Sequence, residues 1–99
     1  MTAVVKDIAW FKKSVEPLLK GYEIDYRDFD KGDFGSLSQV EFNSKKIGGN
    51  VDFWGLGWLG IFVWSYETDE QLINTLIESG KEVEKEKALI ELLQILQNA

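Results

Sequence analysis

The sequence predicts an α+β domain in which an antiparallel meander of about four strands is packed on one face by an N-terminal and a C-terminal helix. Three observations lead to this fold class. Apolar residues recur at helical spacing near both ends, they alternate with polar residues in the middle, and glycine-rich turns separate the alternating stretches. Of the 99 residues, 44% are hydrophobic, which suffices for one core and leaves little room for a second. We therefore expect a single domain spanning residues 1–99.

The first predicted element is a helix over residues 7–20. Its apolar residues lie three or four positions apart, at Ile8, Phe11, Val15, Leu18 and Leu19. Pro17 falls inside this pattern and is expected to kink or end the helix, because proline has no backbone N–H. Gly21 then provides a stop signal.

Four stretches are predicted to form strands, at 22–29, 37–44, 51–54 and 59–67. The first alternates strictly, so Tyr22, Ile24 and Tyr26 are expected on the face that the helices cover. Residues 30–35 supply the first turn, and Gly48-Gly49 suits a tight hairpin turn before the third strand. Short turns of this kind pair neighbouring strands antiparallel in chain order.

Two helices are predicted after the strands. Thr68 is the expected N-cap of the first, and Gln71 completes its capping box. The apolar face of this helix comprises Leu72, Ile73, Leu76 and Ile77. Gly80 is expected to end it. A strongly amphipathic helix over 82–97 follows, rich in leucine and isoleucine.

Cysteine and histidine are both absent from the sequence. The missing thiols exclude disulfides and thiolate metal sites, and the missing imidazole removes the commonest general base and metal ligand. We therefore expect a protein that is not an enzyme and that needs no cofactor and no metal. The Asp-rich turn at 28–33 agrees, because it lacks the spacing and the closing glutamate of a calcium loop and places Lys31 inside the site.

The charge balance favours a basic protein as partner. The chain has 17 acidic and 11 basic residues, for a formal net charge of −6, and Arg27 is its only arginine. Such a field repels nucleic acid and attracts cationic proteins. No signal peptide is recognised in residues 1–7, and the longest apolar stretch, 51–66, is interrupted by Asp52 and three glycines. We expect a cytoplasmic protein that contacts neither nucleic acid nor a membrane.

A series of carboxylates is expected to form an acidic patch that binds this partner. Its members are Glu23, Asp25, Asp28, Asp30, Asp33, Glu41 and Asp52. Like charges on adjacent strands repel one another, so such a cluster costs stability unless a partner or a nearby cation such as Arg27 compensates. The alternative interpretation is a solvated strand face with a polar turn.

Segment 51–64 combines glycines with aromatic residues. Its three glycines have the spacing GxGxxG of a nucleotide loop, but a strand follows where that loop requires a helix, and no lysine is present. We interpret them as part of a hairpin bend. Tryptophan is enriched at binding hot spots. We predict that Trp54 and Trp58 are exposed and bind the partner, because Trp54 alternates with an inward residue and Trp58 lies in the turn.

Two strings in the middle of the chain carry a family resemblance. They read Gly35-x-Leu37-x-x-Val40-Glu41-Phe42-x-Ser44 and Gly49-x-Val51-Asp52-Phe53-Trp54-x-x-Gly57-Trp58-Leu59-Gly60-Ile61. Together they resemble small acidic bacterial immunity proteins, in particular those of contact-dependent growth inhibition systems, over roughly the central third of the chain. The resemblance implies a cytoplasmic antitoxin that binds a cognate toxin domain, commonly a basic nuclease, as a monomer in a one-to-one complex. It transfers no individual binding residue, because the shared positions have the character of scaffold.

The sequence leaves two other functions open. Asp52 with Glu41 or Asp25 can be placed at glycosidase-like separations beside Trp54 and Trp58, which would suit a carbohydrate-binding or carboxylate-dependent hydrolase domain. The hydrophobic C-terminal helix would instead suit a self-associating adaptor module.

Overall fold

The computed structural model describes residues 7–31 and 35–98. An antiparallel sheet of five strands, in the order β1-β2-β3-β4-β5, forms one layer, and two helical segments form the other. The elements are α1 (Ile8–Trp10, Phe11–Val15 and Glu16–Leu18), β1 (Glu23–Phe29), β2 (Leu37–Asn43), β3 (Ile47–Trp54), β4 (Leu59–Ser65), β5 (Glu70–Ile77) and α2 (Glu82–Asn98). The α+β class and the antiparallel sheet are confirmed, with five strands where about four were expected.

The first helix changes geometry along its length. Asp7 caps it by accepting a hydrogen bond from the Trp10 backbone N–H at 3.0 Å. The α-helical turn Ile8–Trp10 widens into a π-helical turn and then tightens into the 3₁₀ turn Glu16–Leu18, which contains Pro17. This is the irregularity that the proline predicts, since it cannot donate to a carbonyl in the preceding turn. The tighter turn leaves Leu18 exposed and directs Leu19 into the core, so only one of the two adjacent leucines in the predicted helical pattern is buried.

The helix predicted from Thr68 is wrong, because residues 70–77 form strand β5. Residues 66–69 make the turn from β4, with Asp69 at a φ of 56°. Ile73 and Ile77 then face the core at alternate positions. The two apolar doublets that suggested a helix are consecutive strand residues on opposite sides of the sheet, with Leu72 and Leu76 exposed and Ile73 and Ile77 buried. A register shift between Val63 and Trp64 leaves Leu72 without a directly opposite residue on β4.

The tight turn predicted at Gly48-Gly49 is also wrong, since both glycines lie inside β3. The turn is made by residues 44–46, where the Ser44 hydroxyl accepts hydrogen bonds from the backbone N–H groups of Lys46 and Ile47. The glycines serve close packing across the sheet. A Cβ on Gly49 would overlap the backbone carbonyl of Phe62 in β4.

Both helical segments cover the same face of the sheet. Phe11 from α1 and Leu92 from α2 join a single buried cluster with inward residues of the strands. Val40, Val51 and Ile61 form one cross-strand row of that cluster, and each is almost completely buried. The opposite face carries no helix from the part of the chain that the structure describes. Neither helical segment in the described ranges combines the length and apolarity that crossing a membrane requires.

Candidate binding face of the sheet

The sheet face opposite the helices, called here the open face, is assembled from alternate residues of all five strands. Its rows follow the strand register. Those rows are Arg27, Gln39, Asp52, Gly60 and Leu76; Asp25, Glu41, Asn50, Phe62 and Asn74; and Glu23, Asn43, Gly48, Trp64 and Gln71. In these three rows polar and charged residues occupy β1 to β3, whereas the large apolar side chains of Phe62, Trp64 and Leu76 lie on β4 and β5. A fourth row at one end of the same face is apolar and consists of Phe29, Leu37 and Trp54.

Four of the predicted acidic residues meet on this face. Glu23, Asp25, Glu41 and Asp52, called here the acidic half, all point away from the helices. Asp25 and Glu41 lie directly opposite each other on β1 and β2, a like-charge pair that destabilises a sheet. Arg27 offsets this repulsion, with its Nη1 atom 3.4 Å from the Glu41 carboxylate.

Asp52 is held more firmly than the other three. The side-chain amides of Gln39 and Asn50 both donate to its Oδ1 atom, at 2.7 and 3.0 Å. The carboxylate is half-buried between these neighbours. The two donated hydrogen bonds fix the orientation of the side chain, so Asp52 presents a pre-oriented carboxylate on the central strand of the sheet.

Asp28 and Asp30 of the predicted acidic series do not lie on the open face. Asp28 pairs with Ser38 and shares the parity of Tyr26, which places it on the side of the sheet that the helices cover, although it is exposed near the end of β1. Asp30 is exposed in the turn after the strand. Asp33 lies outside the described residues. Within the described ranges no three carboxylates approach closely enough to hold a metal ion.

An apolar strip flanks the acidic half. The rings of Phe62 and Trp64 stack on β4, with centroids 6.4 Å apart and planes inclined by 18°. Exposed apolar side chains continue the strip: Tyr66 is 52% exposed, Leu72 39% and Leu76 51%. These five residues are called here the aromatic half. An apolar surface beside a charged one is typical of a binding face, because isolated surface residues are ordinary but contiguous patches are not.

Tyr66 connects the aromatic half to Asn43, which lies opposite Glu23 of the acidic half. Its hydroxyl donates to Asn43 Oδ1 at 2.6 Å, and so reaches from the turn after β4 to β2. The ring passes over Gly48 of β3, where an added Cβ would overlap the hydroxyl. The glycine therefore provides the space for an aromatic side chain that the sheet holds in one orientation.

Of the predicted tryptophan pair, Trp54 lies on the open-face side of β3, two positions after Asp52, as its alternation with Phe53 suggested. Trp54 and Trp58 are both half-buried at the hairpin between β3 and β4, so neither is the fully exposed ring that the alternation suggested. The Trp54 backbone N–H donates to the Trp58 carbonyl at 3.0 Å, and Gly57 takes a φ of 94° inside this loop. The glycine-rich segment is therefore a β-hairpin loop that leads into a strand and has no helix N-terminus for a phosphate.

Two tyrosines, Tyr22 just before β1 and Tyr26 within it, connect the helices to the edge of the sheet by hydrogen bonds. Tyr22 donates to the Leu96 carbonyl of α2 at 2.9 Å, and Tyr26 donates to the Glu16 carboxylate of α1 at 2.6 Å. The Lys12 ammonium lies 4.5 Å from the centre of the Tyr26 ring. Burial raises the pKa of Tyr26 well above its ordinary value, and the hydrogen bond to Glu16 and the charge of that carboxylate raise the pKa further.

Sequence reasoning did not name the aromatic half as a site. Its signal was present, since Phe62, Trp64 and Tyr66 alternate with inward residues of a strand that is apolar on both faces. Comparison with protein-family models, curated proteins and solved structures finds no match for this chain.

Proposed function

We propose that this protein binds a basic protein through its open face, and that it is an immunity protein that neutralises a bacterial toxin domain, namely a nuclease. The observation that carries the proposal is the side-by-side placement of the acidic half and the aromatic half on one sheet face. Each half supplies a different part of a protein interface. The resemblance of the central strings to immunity proteins points to the same class of partner.

The acidic half would set the rate and the specificity of association. Its carboxylates lie on three adjacent strands, so their fields add at one surface of a chain whose formal net charge is −6. A nuclease presents a basic cleft because it must bind phosphates. Opposite potentials on two proteins steer their encounter, and they discriminate against partners of the wrong charge.

The aromatic half would supply most of the affinity. Trp64 and Tyr66 are ring types that dominate binding hot spots, and the stack of Trp64 on Phe62 limits the conformational entropy lost on binding. Tyr66 is already held by Asn43 and loses little further freedom. The acidic half and the aromatic half together resemble the polar rim and the apolar core of a protein interface.

Association rates with the toxin domain provide the test. Asp25→Lys reverses a charge on the open face, and Glu91→Lys makes the same change at an exposed position of α2. The partner to test is the protein encoded by the gene directly upstream of the gene for this chain. We expect Asp25→Lys to slow association with that protein by about tenfold at low salt. We expect Glu91→Lys to have a much smaller effect on the association rate. Equal effects of the two substitutions would show that the open face is not the contact.

Protection assays separate the immunity role from binding in general. Co-expression should rescue cells from the toxin domain, and Trp64→Ala should abolish that rescue while the purified variant remains folded. The matched control is Ile90→Ala on the outer side of α2, which should protect fully. A chain that forms no complex by calorimetry and gives no protection would refute the immunity function.

A carbohydrate ligand is the second candidate, and one observation favours it. Phe62 and Trp64 form a stacked aromatic surface, and Asn50 and Asn74 flank Phe62 in the same row. Rings beside amide groups suit the apolar and hydroxyl surfaces of a sugar. A glycan array with bound sugars that Trp64→Ala removes would support this alternative, and an empty array together with toxin binding would reject it.

A further inference from the structure

The two oxygen atoms of the Asp52 carboxylate have different surroundings. Oδ1 accepts both hydrogen bonds that hold the side chain, from Gln39 and Asn50. Oδ2 accepts no hydrogen bond from the described residues, and it lies 3.4 Å from the position that a Cβ on Gly60 would occupy. Gly60 is the residue directly opposite Asp52 on β4, so Oδ2 is turned towards the aromatic half.

Asp52 has no counter-ion within the described part of the chain. Both residues that bond to it are neutral amides, and none of the ion pairs between described residues includes it. Arg27 lies in the same row but pairs with Glu41, and Gln39 stands between Arg27 and Asp52. A half-buried carboxylate loses part of its hydration, and a cation that donates hydrogen bonds compensates for that loss. A partner protein can supply such a cation.

The surroundings of Oδ2 are apolar on the side of β4 and β5. Phe62 follows Gly60 by two positions on the same face of β4, and diagonal neighbours of an antiparallel pair lie about 7–8 Å apart. Leu76 lies opposite Gly60 on β5, and its Cδ1 atom is 3.7 Å from the position of the same added Cβ. Because Gly60 has no side chain, Asp52 and Leu76 lean over it from opposite sides. A cation that reaches Oδ2 would therefore lie against apolar side chains.

We propose that Asp52, Gly60 and Phe62 form a subsite for one arginine side chain of the partner protein. The guanidinium donates to Asp52 Oδ2, and its planar face lies against the Phe62 ring. Arginine suits both contacts, because its N–H groups match a carboxylate and because its weakly hydrated guanidinium stacks on aromatic rings. The ammonium group of lysine is compact and strongly hydrated, so it gains less from the apolar side of the subsite.

The chain's own arginine shows that the open face accommodates a guanidinium. Arg27 approaches the acidic half from β1, where its Nη1 atom is 3.4 Å from the Glu41 carboxylate. The proposed arginine would approach Asp52 from the side of β4 instead. The two guanidinium groups therefore use different carboxylates, and the partner's arginine need not displace Arg27.

This inference deepens the proposed function, on which it rests for the identity of the protein that carries the arginine. Arginine side chains that bind phosphates are typical of a basic nuclease cleft. Asp52 would act after the encounter by slowing dissociation, whereas the more exposed carboxylates of the acidic half set the rate of encounter. The subsite can be tested without the toxin domain, so the two proposals can fail separately.

Titration with a blocked amino acid tests the subsite directly. N-acetyl-arginine methylamide is added to the unmodified protein, and the side-chain amide resonances of Gln39 and Asn50 are followed by NMR, because both amides donate to the Asp52 carboxylate. We expect saturable shifts of these resonances with millimolar affinity. The lysine analogue should bind about threefold more weakly. The citrulline analogue, which has a similar shape without the charge, should not bind.

Three variants locate the binding. Asp52→Asn should abolish the saturable shift of the Asn50 amide. Asp28→Asn makes the same change at an exposed carboxylate on the other side of the sheet and should leave the affinity unchanged. Gly60→Ala places a methyl group 3.4 Å from Oδ2 and should weaken binding about fivefold, because it narrows the approach to this oxygen. The backbone resonances of each variant report whether it stays folded.

Each outcome decides the proposal. Loss of arginine binding in Asp52→Asn, with binding retained in Asp28→Asn, supports the subsite. Equal losses in Asp52→Asn and Asp25→Asn would show a diffuse attraction by the acidic half and would overturn it. Equal affinities for the arginine and lysine analogues, or amide resonances that arginine leaves unshifted, would overturn it as well. None of these results bears on whether the toxin domain binds the open face, which the association rates measure.

Discussion

The hydroxyl of Tyr66 donates a hydrogen bond to Asn43 Oδ1 at 2.6 Å, across the whole width of β3. The residue beneath it is Gly48, and any side chain there would overlap the hydroxyl. Three glycines of the central strands, Gly48, Gly49 and Gly60, differ in the atoms that an added methyl group would contact. This difference predicts a ranking of their alanine variants.

Gly49→Ala should be the most destabilising of the three substitutions. Its Cβ would overlap the Phe62 carbonyl and meet Val63 Cα at 3.0 Å, and backbone atoms of a central strand cannot move aside cheaply. Gly48→Ala should cost about 1–2 kcal/mol, because only the ends of the Tyr66 and Asn43 side chains must shift and one hydrogen bond is lost. We expect about 3 kcal/mol for Gly49→Ala.

Gly60→Ala is the control for this ranking. Its Cβ would make ordinary contacts with Asp52 at 3.4 Å and with Leu76 at 3.7 Å. We expect a change in the free energy of unfolding within about 0.5 kcal/mol. Urea denaturation of the three variants measures the order, and a Gly60→Ala variant that is as unstable as Gly49→Ala would contradict the packing described for β3 and β4.

Alkaline pH should weaken the attachment of α1 to the sheet. The pKa of Tyr26 is raised from its ordinary value of 10.0, first by burial and then by Glu16. A raised pKa in the folded state means that the stabilisation is complete below pH 10 and is lost progressively above it. Tyr26→Phe should therefore be less stable than the parent by about 0.5–1 kcal/mol at pH 8, with a smaller difference at pH 11.

Urea titrations between pH 8 and 11 measure this difference. The expected sign follows from the hydroxyl proton, which the neutral ring donates to the Glu16 carboxylate and the ionised ring lacks. Glu16→Gln keeps a hydrogen-bond acceptor and removes the charge, so it should lessen the pH dependence. A stability difference between the parent and Tyr26→Phe that grows above pH 10 would refute this account.

The sequence predicts the faces of β1 and β2 correctly because their alternation is strict and their turns are short. Residues 23–27 and 39–43 lie on the expected sides, and Tyr22 packs against the core as expected. The sheet face that the helices cover could also be predicted, because both terminal helices have one apolar side. The acidic half follows directly from these assignments.

The failures have a common physical cause. The local pattern of Leu72-Ile73 and Leu76-Ile77 fits one face of a helix as well as it fits a strand with an irregularity. The pairing with β4 decides between the two, and the local pattern does not reveal that pairing. The Gly48-Gly49 pair is as typical of a tight turn as of close packing inside a sheet, where these glycines approach the Tyr66 hydroxyl and the Phe62 backbone carbonyl. The aromatic half requires knowledge of β5, so it could not be assembled while residues 68–77 were assigned to a helix.

The turn between β4 and β5 should be sensitive to the residue at Asp69. Asp69 adopts a φ of 56°, a left-handed conformation that aspartate tolerates and β-branched residues resist. Asp69→Val should destabilise the fold by about 1–2 kcal/mol, and Asp69→Gly should be neutral or stabilising by about 0.5 kcal/mol. Thermal unfolding measures both variants.

The neighbouring Thr68→Val is the control, because no positive φ is found there. It introduces the same β-branched residue into the same turn and should change stability by less than about 0.5 kcal/mol. If Asp69→Val and Thr68→Val have equal effects, the conformation assigned to this turn is wrong.

Arg27→Ala should have opposite effects on the stability of the fold and on the rate of association with a basic partner. Its guanidinium offsets the repulsion between Asp25 and Glu41, so Arg27→Ala should lower the free energy of unfolding by about 0.5–1 kcal/mol at low salt. The same substitution makes the open face more negative. Under the proposed function it should therefore speed association with a basic partner, by about twofold to threefold at low ionic strength.

Both effects should fade together when salt is added, because the charges concerned are at least partly exposed. Lys87→Ala on α2 removes one positive charge from the same chain and should change neither quantity to a similar extent. Stopped-flow association and urea denaturation at two salt concentrations measure the pair of effects. A destabilised Arg27→Ala variant with an unchanged association rate would place the partner on another surface and leave the acidic half with a purely structural cost.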